Sequence, residues 1–74
     1  MGEKRIPRVT ADQVISVLER NGFVRVGGRG SHQKWRNPAT GKQVIVVYHR
    51  GRILPLGTMN SIIEGSGLDL PALP

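Results

Sequence analysis

The sequence predicts a small α+β domain of order α-β-β-β-α, with a three-stranded antiparallel sheet and two helices on one of its faces. Three observations predict it. An amphipathic segment with a start signal and a stop signal lies near the N-terminus. Three runs of alternating or β-branched residues follow, separated by glycine- and proline-rich turns. A second amphipathic segment closes the pattern. With 74 residues there is room for one domain. A chain of this length buries only about 60% of its unfolded surface, which excludes a Rossmann sheet or a barrel.

Thr10 and Gln13 have capping-box spacing, each side chain able to satisfy a free backbone donor of the other, so the first helix is predicted over residues 11 to 20. Ala11, Val14, Ile15 and Leu18 form one apolar stripe along it. Asn21-Gly22 supplies the stop, and Phe23 is placed to fold back on the last turn. Phe23 to Val26 reads as a short strand, Gly27-Gly28-Arg29-Gly30 as its turn, and Ser31 to Arg36 as the returning strand. With residues 27 to 30 as the loop, Arg25 faces His32 across the hairpin. That register puts Val24, Val26 and Trp35 on the core side and Arg25, His32, Lys34 and Arg36 on the other. Asn37 to Gly41 is a second turn, and Gln43 to Tyr48 has the strongest strand composition in the chain. After the basic Arg50-Gly51-Arg52 connection, Leu56, Met59 and Ile63 share a helical face with Ile62 beside it. The second helix is therefore expected from about Pro55 or Gly57 to Ser66, with Gly65 weakening its last turn. The domain is bounded at residues 10 and 68, between an N-terminal segment 1 to 9 and a proline-containing tail 69 to 74, both expected to be flexible.

Eleven Lys and Arg oppose five Asp and Glu, for a net charge of +6, which points to an anionic partner. No apolar run approaches the roughly 20 residues of a membrane-spanning helix, and no secretory h-region follows the basic N-terminus. A soluble, cytoplasmic protein without a membrane partner is expected. The absence of cysteine removes thiolate nucleophiles and cysteine zinc sites.

The remaining chemistry is thin. Glu3, Asp12, Glu19, Glu64 and Asp69 are scattered over helices and tails, and no two have the spacing of an acid-base or metal pair. His32 stands apart because of its company: Ser31 precedes it, Lys34 and Arg36 share its face, and Arg29 is at the rim. A neutral imidazole there can take the proton of a ribose 2'-hydroxyl while Lys and Arg hold the phosphate. His49 ends the third strand, and it joins His32 on the open face if the second turn pairs Asn37 with Lys42. Trp35 has the opposite parity and reads as core rather than as a base-stacking platform. With one each of Trp, Tyr and Phe, phosphate contacts rather than stacked aromatics must dominate any RNA binding.

Asn21-Gly22-Phe23-Val24, Gly30-Ser31-His32-Gln33-Lys34-Trp35, Val46-Val47-Tyr48-His49 and Leu54-Pro55-Leu56-Gly57-Thr58-Met59, followed by Ile62-Ile63 and Gly67-Leu68, resemble the HicA toxin family over residues 10 to 68. Gln33 and the segment from Arg50 to Leu54 depart from the pattern common in that family. The resemblance implies the toxin of a type II toxin-antitoxin pair, a ribosome-independent mRNA interferase of double-stranded-RNA-binding-domain-like fold. It implies His32 as the residue required for cleavage and a HicB-type antitoxin that covers the active face, for which exposed Ile45 and Val47 would suit.

The expected enzyme is a metal-independent endoribonuclease without a cofactor, monomeric when free. His32 is its acid or base, Arg25, Arg29, Lys34 and Arg36 are its RNA contacts, and Ser31 and His49 are accessory candidates. Either the ribose 2'-hydroxyl or water could attack. The rival readings are a non-catalytic RNA-binding module of the same fold and a small protein that binds an acidic partner chain.

Overall fold

The computed structural model describes residues 8–68. Within them the order is α1 (Ala11–Arg20), β1 (Val24–Arg29), β2 (His32–Arg36), β3 (Gln43–Val47) and α2 (Leu56–Ser66), the expected α+β arrangement. The expectations for residues 1–7 and for the tail 69–74 lie outside the described residues. No helix among the described residues is long and apolar enough to cross a membrane.

The capping box forms as the sequence predicts. The Gln13 amide donates to Thr10 Oγ1 at 3.3 Å, and the Thr10 amide donates to Gln13 Oε1 at 2.9 Å. At the other end of α1, the Phe23 amide donates to the Leu18 carbonyl at 2.9 Å and the Gly22 amide to the Glu19 carbonyl at 3.2 Å. This pair of bonds is a Schellman motif, and its hydrophobic seal is the buried pair Leu18 and Phe23. The helix stop thus also anchors the first residue of the sheet hairpin in the core.

The sheet order is β1-β2-β3, antiparallel throughout. Trp35, Val44 and Val46 are buried on one face, in a single cluster with Val14 and Leu18 of α1 and Met59 and Ile62 of α2, so both helices cover that face. Each large apolar side chain so enclosed stabilises the fold by about 1.5–3 kcal/mol. Trp35 is core, as expected, and its Nε1 donates to Gln33 Oε1 at 3.1 Å on the same side of the strand. Gly65 lies where α2 runs closest to β3: a Cβ there would come within 3.0 Å of Val44 Cγ1. Close approach of helix and strand thus accounts for a residue that weakens the helix locally.

The N-terminal side of the domain reaches beyond Thr10. Val9 is buried, its carbonyl accepts from the Leu54 amide at 2.9 Å, and Thr10 bridges Ile53. Tyr48 Oη donates to Asp12 Oδ1 at 2.8 Å, joining the end of β3 to the first turn of α1. That bond, with partial desolvation and the Asp12 charge, holds the Tyr48 phenol above its ordinary range. Leu56, expected on the apolar face of α2, is instead 49% exposed at the start of the helix.

Candidate active site

The first hairpin differs from its sequence-based register. Gly27 and Gly28 are strand residues paired with Lys34 and Gln33, and the reversal is the two-residue turn Gly30-Ser31, flanked by the pair Arg29 and His32. Glycine clusters ordinarily mark loops, which is why 27 to 30 read as one. Here Gly28 has φ +128°, and a Cβ on it would overlap the His32 carbonyl oxygen, so the cross-strand neighbour demands glycine. The register slips between Arg25 and Gly27, leaving Val26 as a bulge.

This register changes which cation accompanies the histidine. Arg29, not Arg25, is the cross-strand partner of His32. Arg25 pairs with Trp35 and therefore has the parity of the helix-covered face, and its Nε donates to the Gly27 carbonyl at 3.4 Å. Val24, expected beside Trp35, pairs with Arg36 instead and is 50% exposed, while Val26 is 49% exposed at the bulge. A two-residue reversal at Gly30-Ser31 was the available signal for this register.

The second hairpin takes the register in which Asn37 pairs with Lys42, the option the sequence left open. The Asn37 amide donates to the Lys42 carbonyl at 2.8 Å, and His32, Lys34 and Arg36 pair with Val47, Ile45 and Gln43. Asn37 holds the turn through Oδ1, which accepts from the Ala39 amide, and through Nδ2, which donates to the Asn21 carbonyl at the end of α1. The uncovered face therefore carries His32, Lys34 and Arg36 in one row. Arg29 stands on one side of that row and Ile45 and Val47 on the other. His32, Arg29 and Arg36 are exposed, Lys34 is half-buried along its stem, and Ile45 is 42% exposed.

Ser31 and His49 have different positions. The Ser31 carbonyl accepts from the Tyr48 amide at 2.7 Å, extending the β2–β3 pairing past Val47. His49, predicted as a strand residue, lies beyond the end of β3, where the chain turns and the Arg52 amide donates to the His49 carbonyl at 3.0 Å. There His49 and Arg52 line a surface pocket of about 210 Å³ with Val47, Ile53, Pro55 and Thr58. Among the described residues no three His, Cys, Asp or Glu gather as a metal site would need.

The class defined by this geometry is a small α+β domain with one apolar sheet face closed by two helices and one basic, histidine-bearing face left open. The model of the HicA toxin of bacterial toxin-antitoxin systems matches residues 11–68. The match covers both helices and all three strands, and the chain belongs to the HicA toxin family. Membership gives it a toxin role within a toxin-antitoxin pair. No curated protein matches the chain.

Proposed function

We propose that the chain is an mRNA endoribonuclease, cytoplasmic and monomeric when free, and that its open sheet face is the catalytic surface. The observation that supports this most strongly is the grouping of Arg29, His32, Lys34 and Arg36 by two independent strand registers on a face that no helix covers. A phosphodiester lying along that face meets a proton acceptor flanked by cations.

His32 takes the proton of a ribose 2'-hydroxyl, and the 2'-oxygen attacks the adjacent phosphorus. Arg29 and Lys34 offset the charge that builds on the phosphoryl oxygens. The bond to the 5'-oxygen breaks, and solvent, which has free access to this face, protonates the departing oxygen. The products are a 2',3'-cyclic phosphate and a 5'-hydroxyl end. A scaffold of this size suffices because the substrate brings its own nucleophile. Arg36 and its neighbours position the strand through phosphates, which carry no base information. Arg25 is separated from this group by the register and is left out of it.

A HicB-type antitoxin is proposed as the partner that covers the same face. Ile45 and Val47 supply an apolar strip on the edge strand beside the cations of the neighbouring strand, which suits a partner surface with an apolar part and an acidic part.

Incubating mRNA with wild type and with His32→Ala tests the reading. Cleavage by the first alone, with a 2',3'-cyclic phosphate end during the reaction, is expected. Equal cleavage by both removes the role of His32. Salt-dependent RNA binding without turnover by wild type would favour a non-catalytic RNA-binding module.

A further inference from the structure

We infer that the pocket beyond β3 is a nucleobase subsite, one that holds the base of a nucleotide next to the cleaved bond and sets the sequence preference of cutting. The inference rests on the proposed RNA cleavage at His32 and assigns a role to Arg50-Gly51-Arg52, which that mechanism does not use.

Position comes first. Val47, the cross-strand partner of His32, is also a wall of the pocket. Side chains of directly opposed residues lie about 4.5–5.5 Å apart at Cβ and project from the same face, so the pocket begins next to the histidine. An RNA strand with its phosphate at His32 has its neighbouring nucleotide within reach of this opening.

Shape and lining come second. A volume of about 210 Å³ is below the 300–1,000 Å³ of pockets for drug-sized ligands and suits a single flat ring system. Val47, Ile53 and Pro55 give apolar walls for the faces of such a ring. His49 and Arg52 are planar groups on which an unstacked base can lie, and the Arg52 guanidinium and Thr58 hydroxyl can bond to its edge. This composition fits a base better than a bare phosphate, which gains nothing from apolar walls.

Rigidity comes third. His49 and Arg52 are the first and last residues of a hydrogen-bonded β-turn, with Gly51 at φ +71° in its third position, where a type II turn needs a left-handed residue. The turn holds the two polar groups near each other. The following residues are clamped from behind, because Ile53 bridges Thr10 and Leu54 bonds to Val9. A loop fixed at both ends presents a preformed pocket, which lowers the ordering cost of binding.

The test has two arms on the full chain. In the first, amide spectra are recorded while wild type is titrated with the four nucleoside monophosphates, ribose phosphate and inorganic phosphate. Saturable shifts at His49, Arg52, Ile53 and Thr58 that depend on the base, and that ribose phosphate does not reproduce, are expected. Equal shifts with inorganic phosphate alone, or none with any nucleotide, overturn the inference. In the second, cleavage of a randomised RNA pool is mapped for wild type, Arg52→Gln and Thr58→Val. Loss of roughly tenfold discrimination between bases at one position beside the cut is expected in at least one variant. An unchanged preference in both, with wild type cleaving, overturns the inference. Failure of wild type to cleave strikes the proposed activity instead, and the titration still decides whether the pocket takes a base.

Discussion

The two faces of one short strand, β2, lead different lives. Gln33 and Trp35 turn toward the helices, where the indole is 6% exposed and its N–H is bonded within the strand. His32, Lys34 and Arg36 turn to the uncovered side, where Lys34 pairs with half-exposed Ile45. The period of two in strand geometry thus divides five residues into a structural set and a set free to serve chemistry. A protein this small has little stability to spare, so separating the two sets residue by residue lets the uncovered face vary without loss of the core.

Substitutions on either face can break or sharpen that contrast. The largest expected effect is on the covered side: Trp35→Ala should cost about 3–5 kcal/mol in urea unfolding, enough to leave much of the protein unfolded. A cost below 1 kcal/mol would mean the helices do not close over this face. Next comes Gly28→Ala, in the hairpin that carries Arg29 to His32. Its left-handed backbone and the overlap with the His32 carbonyl should cost about 1–3 kcal/mol. Unchanged stability would argue for the four-residue loop at 27 to 30.

On the open side, Lys34→Ala should leave unfolding within about 0.5 kcal/mol of wild type. In a binding assay with uncleaved RNA it should lower the slope of log affinity against log salt by about 0.7. An unaltered slope would remove Lys34 from the phosphate contacts. The smallest effect is at the seam between the faces. Tyr48 is held protonated by Asp12, so its raised titration means a contribution to stability that is complete below the ordinary tyrosine range and lost as pH rises through the shifted one. Tyr48→Phe should be slightly less stable at neutral pH, with the gap closing in alkaline thermal melts. A gap that widens there contradicts the bond.

What the sequence made legible follows the same physics. The first helix was readable to the residue because Thr10, Gln13, Gly22 and Phe23 are local signals whose partners lie within a turn. The strands of the second hairpin were readable from the Asn37 to Gly41 turn signals and the β-branched run after them, whereas its register was one option that the Asn37–Lys42 pairing settles. The first hairpin was less readable. Gly27 and Gly28 carry no side chain to show a face, so the one signal for a strand with a bulge was the two-residue Gly30-Ser31 turn, which the longer glycine run masks. One consequence was the exchange of Arg25 for Arg29 opposite His32. The pocket beyond β3 was hidden for another reason: two of its walls, Ile53 and Leu54, are held by the bridge to residues 9 and 10, a tertiary contact with no local signature.

The most direct test of the central claim, that the uncovered face performs the chemistry and the covered face only the folding, is to measure unfolding and mRNA cleavage on one preparation of His32→Ala. The predicted result is stability within about 0.5 kcal/mol of wild type together with a loss of about 10²–10⁴-fold in cleavage rate. Cleavage at the wild-type rate by the folded variant would contradict it.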